Sequence, residues 1–97
     1  MQIVRSDTRE ITITGNIKST DDYLAIRRHC QDMVEAGVRT FTLRIHESMS
    51  MPSSVIGYFV KLIKRDRVEI AMFIEDPRLL ELLDELGLTG TFGARRA

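Results

Sequence analysis

The chain has 97 residues, 43% of them hydrophobic and 29% charged, the composition of an ordinary globular domain. Fourteen basic residues balance fourteen acidic ones, which removes the basic surplus that nucleic-acid binding needs. One cysteine excludes an intrachain disulfide and fits a reducing compartment. No apolar run approaches the roughly 18 residues of a membrane span, and no secretory signal precedes Arg5 and Asp7. A single cytoplasmic domain is expected.

Gln2–Ser6 and Glu10–Gly15 read as two strands closed into a hairpin by Asp7-Thr8-Arg9. Ile11 and Ile13 alternate with threonines, the period of a half-buried strand. Gly15-Asn16 ends the second strand and opens a loop. Asp21–Ala36 reads as a helix, capped by Ser19, Thr20 or Asp21 and closed by Gly37. Tyr23, Ile26, Cys30, Met33 and Val34 form its apolar stripe, with Asp22, His29 and Asp32 opposite. Arg39–Ile45 is the next strand and His46–Met51 a loop. Ser53–Arg65 is a second helix, with Ile56, Phe59, Val60 and Ile63 as its inner stripe. Lys61, Lys64, Arg65 and Arg67 read as its solvated end, where cations suit the helix dipole. Val68–Ile74 is the most apolar strand, expected to be covered on both faces or central in the sheet. Asp76 caps a third helix with Pro77 at its first position; Leu79, Leu80, Leu83 and Leu86 form its stripe and Gly87 closes it. Thr91-Phe92 adds a short edge strand, and Ala94–Ala97 is expected to be a loose tail.

The order ββαβαβα predicts one α/β domain: a mixed, mostly parallel sheet of four to five strands with three main helices. Only the first strand is antiparallel. The loops Gly15–Thr20, His46–Pro52 and Glu75–Pro77 then all follow carboxyl ends of parallel strands. Open α/β sheets place their binding sites at that edge.

Met51-Pro52-Ser53-Ser54-Val55-Ile56-Gly57 stands there. A hydroxyl where a loop becomes a helix sits among free N–H groups at the positive end of the helix dipole, and a phosphate suits that place. Phosphorylation would add roughly −1.5 to −2 charges at one spot. Ser53 is therefore a candidate phosphoacceptor, with Ser54 as a second. The competing reading makes Ser53 a plain N-cap, worth about 1 kcal/mol of helix stability. Met49 and Met51 flank the serines and offer a soft partner surface, or fold back onto the core. Asn16 and Lys18 face the same edge from the neighbouring loop. His29 and His46 have no Cys or His at metal spacing, so no metal or other cofactor is expected. Ser53 with His46 lacks the Gly-x-Ser-x-Gly elbow of a hydrolase, so the chain is not expected to be an enzyme.

The layout and residues resemble a STAS domain, the fold of bacterial anti-sigma factor antagonists. Four segments carry the resemblance: Thr14-Gly15-Asn16-Ile17 as the turn after the second strand, Gly37-Val38-Arg39 with Phe41–Ile45, the Met51–Gly57 segment, and Asp76-Pro77 with the leucine helix and Gly87-Leu88. The segment Met51–Gly57 is similar to the family's Met-Asp-Ser-Ser-Gly-Leu-Gly. The resemblance implies a non-catalytic partner-switching protein; the sequence leaves its oligomeric state open, with a monomer expected. Unmodified, it would bind a serine kinase that is also an anti-sigma factor, and phosphorylation of the first serine, Ser53 here, would release it. A Ser/Thr phosphatase would reverse the step. Pro52, Ser53, Ser54 and Gly57 belong by position to the partner-binding segment. The chain departs from the family at Pro52, where an acid is usual, at Val55, where glycine is usual, and at Lys18, where an acid follows the first turn.

Two further readings stand beside the switch. One is a constitutive STAS adaptor, never phosphorylated, such as a fixed subunit bound to a transporter ATPase. The other is a homodimer through the exposed edge Gln2–Ser6.

Overall fold

Ile11 and Ile13, then Phe41, Leu43 and Ile45, then Ile70, Met72 and Ile74 fall at every second position, and all are buried. In the computed structural model, which describes every residue from Met1 to Ala97, they lie on three adjacent strands. These are β2 (Glu10–Thr14), β3 (Thr40–His46) and β4 (Glu69–Ile74). With β1 (Gln2–Asp7) and β5 (Ala94–Arg96) they make a five-stranded sheet in the order β1-β2-β3-β4-β5. β1 pairs antiparallel with β2, and every other pairing is parallel. The helices are α1 (Thr20–Glu35), α2 (Ser53–Lys64) and α3 (Pro77–Glu85).

Strand order follows chain order, and right-handed crossovers then place all three helices on one face of the sheet. Burial agrees. The other face carries Thr12, Thr42, Arg44, Ala71 and Phe73, all only partly buried. β4 lies inside the sheet, between β3 and β5, yet is covered on one face alone. On the open face the Arg44 guanidinium sits 4.8 Å from the Phe73 ring and donates to Glu10, at 2.7 Å. Arg95 approaches the same ring to 5.5 Å. Arginine stems and charges cover the aromatic surface that a second helix layer would otherwise cover.

Ser19 caps α1 through a reciprocal box. Its Oγ accepts from the Asp22 amide, and the Asp22 carboxylate accepts from the Ser19 amide. Gly37 follows the helix at φ +88°, a left-handed stop. The apolar stripe of α1 buries Ile26, Cys30 and Met33, with Tyr23 and Val34 at its margins.

Three expectations need correction. The buried stripe of α2 is Val55, Tyr58, Phe59 and Leu62 rather than Ile56, Phe59, Val60 and Ile63. Ser53, Gly57, Lys61 and Lys64 recur at spacings of four, four and three and are all exposed, and this polar stripe sets the inner face opposite it. Leu86 lies past the end of α3 and is half exposed, so it leaves the leucine stripe. Ala94–Arg96 is no loose tail: it forms β5, and the edge strand lies there, not at Thr91-Phe92. Phe92 is fully buried and anchors the approach. Gly93 then passes so close to β4 that a Cβ there would stand 2.6 Å from the Ile70 carbonyl oxygen. The free edge of β4 supplies the backbone partners that Ala-Arg-Arg could not advertise by side-chain pattern.

Candidate functional site

The three loops predicted to share an edge do share one, because β2, β3 and β4 run parallel in register. The loops after β2 and β3 are also bonded to each other. The Gly15 amide donates to the His46 carbonyl at 2.9 Å, the Ile17 amide to Ser48 Oγ at 3.1 Å, and the Met49 amide to Asn16 Oδ1 at 3.1 Å. Ser48 Oγ donates in turn to the Ser50 carbonyl, at 2.9 Å. Ser48 is the one buried residue of polar or charged type. It holds the loop after β3 where Glu47 bends the chain with a left-handed backbone, φ +61°. That conformation costs a residue with a Cβ roughly 1–2 kcal/mol, and the cross-loop bonds offset it.

This loop delivers the chain to α2. Pro52 is the N-cap and gives no side-chain cap bond. Ser53 is therefore the first helical residue, not the cap, which corrects the N-cap reading. Its hydroxyl makes no hydrogen bond in the protein, and Ser53 and Ser54 are both exposed. The Pro52 carbonyl accepts from the Val55 and Ile56 amides, at 3.0 Å each. The amides of Ser53 and Ser54 have no protein acceptor and open to solvent with the positive end of the helix dipole. An exposed hydroxyl, two free donors and a positive dipole thus meet at one point. No acidic residue lies in the first turn to repel an anion.

The other predicted site residues divide. Met49 is 46% exposed beside the serines. Met51 is 4% exposed and belongs to the core, so it supports the loop from beneath rather than meeting a partner. Asn16 spends its side-chain oxygen on the Met49 amide and works as a loop clamp. Lys18 is exposed with no salt-bridge partner, and Pro52 is half-buried. Gly57, exposed on α2, has open space where a Cβ would stand.

Two pairs at this edge were not expected. His46 Nδ1 lies 3.0 Å from Glu75 Oε2, joining the ends of β3 and β4. Each residue directly follows the last buried position of its strand, and that shared position was the available signal. Arg78 grips Asp76 through Nε and Nη2, at 3.1 and 2.7 Å. That guanidinium, with the Arg78 amide, holds the Asp76 carboxyl below its usual range.

Elsewhere the chemistry is quiet. No three His, Cys, Asp or Glu side chains stand close enough to hold a metal ion. Burial pushes the Cys30 thiol up to about 12, which leaves it an unreactive packing group. No helix is long and apolar enough to cross a membrane. No protein-family model, no curated protein and no solved structure matches the chain.

Proposed function

We propose that this protein is a non-catalytic signalling switch of the STAS anti-sigma factor antagonist type, controlled by phosphorylation of Ser53. In this reading the unmodified edge of Met49, Pro52, Ser53, Ser54 and Gly57 binds a bacterial serine kinase that doubles as an anti-sigma factor. Lys18 flanks the contact. Phosphorylation puts charge in the middle of that contact and releases the partner, and a Ser/Thr phosphatase resets the switch in the cytoplasm. The protein acts in transcription regulation without a cofactor.

One observation carries the reading. The Ser53 hydroxyl is exposed, unbonded and placed beside the two free amides that open α2. A phosphoryl group there gains helix N-terminal donors without breaking any bond the protein already makes. The strand and helix order supports the same family, and Pro52 keeps the helix start without a like charge beside the phosphate. Ser53→Asp should abolish capture of the partner from native cells, and Ser53→Ala should capture it constitutively. Mass spectrometry of the native protein locates the phosphoryl group on Ser53 or overturns the switch.

The second reading, a constitutive adaptor of another complex such as a transporter ATPase, is favoured by Pro52 in place of the acid a kinase would read. It requires the protein to stay unmodified and Ser53→Asp to leave its partner bound.

A further inference from the structure

A groove of about 350 Å³ runs between α1 and α2, away from the carboxyl edge of the sheet. That volume is at the small end of ligand pockets. Its walls carry Arg27 and Glu35 from α1, Lys61 from α2, and Arg65 and Asp66 from the turn that follows. None of these five charges has an ion-pair partner within 4.0 Å, although both signs line the same groove. Surface charges of opposite sign that share a concavity and do not pair are free to pair with something else.

The floor adds a second, independent observation. Tyr58 lines the groove and is 7% exposed. Its hydroxyl is the one buried side-chain polar atom of the protein without a hydrogen-bond partner. Tyr58 shares the groove lining with Arg27 and Asp66. Buried hydroxyls are almost always bonded, and an orphan calls for an explanation.

We propose that this groove binds a small amphoteric ligand of the amino-acid class. Its carboxylates pair with Arg27, Lys61 and Arg65, its ammonium group pairs with Glu35 and Asp66, and an oxygen of the ligand accepts from Tyr58. Three cations against two carboxylates favour a ligand with more negative groups than positive, as in an acidic amino acid. A plain anion would leave Glu35 and Asp66 facing like charge. The site is separate from Ser53 and does not depend on the switch reading.

The test is amide NMR of the intact protein titrated with L-glutamate, with glutarate as the probe that lacks the ammonium group. Saturable shifts confined to residues 27–35 and 58–66 are expected, with Kd near 1 mM, typical of a weak small-ligand site. Glutarate should bind about tenfold more weakly, the loss of one charge-assisted contact. Arg65→Gln should weaken glutamate to a similar extent. Tyr58→Phe keeps the ring and fills the same space, and it should fold normally and weaken binding. Unsaturable shifts, shifts centred on Ser53, equal binding of glutarate, or full affinity in both variants would each overturn the proposal.

Discussion

Ile17 and Ser48 stand 31 positions apart, and the Ile17 amide donates to the Ser48 hydroxyl at 3.1 Å inside the protein. This bond joins the loop after β2 to the loop that carries the serines. Replacing Ser48 by Ala orphans a buried amide and frees the Ser50 carbonyl. Such a loss costs about 2 kcal/mol. Urea unfolding should show it, and amide exchange should quicken at Ile17 and Met49. An unchanged midpoint would mean that the loops are held by other contacts.

A negative charge at Ser53 should suit the helix itself. Ser53→Asp places an acid in the first turn of α2, where the dipole favours it by about 0.5 kcal/mol. The thermal midpoint should rise slightly while partner capture is lost. That combination separates a switch from simple unfolding. A drop in midpoint would show that the amides of Ser53 and Ser54 are not available to an anion.

Asp22 should make stability depend on pH. The amides of Lys18 and then Ser19 hold its folded carboxyl below the ordinary value of 3.8. The unfolded chain therefore takes up the proton first as pH falls. The stabilisation is fully present above 3.8 and is lost as pH drops through the lower folded value. Asp22→Asn should be less stable than wild type at neutral pH, and the gap should shrink in acid. A gap that stays constant would remove the carboxylate from the account. Glu10, lowered by its bond to Arg44, adds to stability with the same sign.

Tyr58→Phe should stabilise the free protein. It deletes a buried hydroxyl that has no partner, and such a group costs about 1 kcal/mol or more. A higher urea midpoint at equal slope is expected. A lower one would mean that the hydroxyl is bonded in solution.

Gly93→Ala should detach the last strand. The new Cβ would meet the Ile70 oxygen at 2.6 Å, on a backbone at φ +55°. Backbone atoms cannot yield as a flexible side chain would, so a cost of about 2 kcal/mol is expected. Exchange should quicken at Met72 and Ala97, whose amides bond across the β4–β5 seam. Protection that survives at both amides would show that β5 is held without Gly93.

The element order, the two-residue alternation of β2 and β3, the stop at Gly37, the cap at Asp76 and a cap within Ser19–Asp21 were legible in the chain. Each depends on a residue's own backbone preference or on spacing along one element. The clustering of the three loops followed too, since parallel strands fix which ends lie together. The inner face of α2 is written in the chain as well, opposite the polar stripe of Ser53, Gly57, Lys61 and Lys64, although its apolar residues alone suggest a neighbouring stripe. β5 was not legible, since its Ala-Arg-Arg carries no strand pattern and pairs because β4 offers an open edge to backbone atoms.

At the candidate site the same division holds. Pro52 and the two serines after it set a helix start with hydroxyls beside it, because proline fixes φ and lacks a donor. The sequence could not show that Ser53 stands one place inside the cap with its hydroxyl unbonded. That depends on Ser48, whose bonds to residues from two loops exist only once the sheet brings those loops together. The orphaned Tyr58 hydroxyl and the unpaired charges around it belong to the tertiary structure alone. Which polar atoms find partners is decided by distances between helices, and no local pattern of residues specifies those.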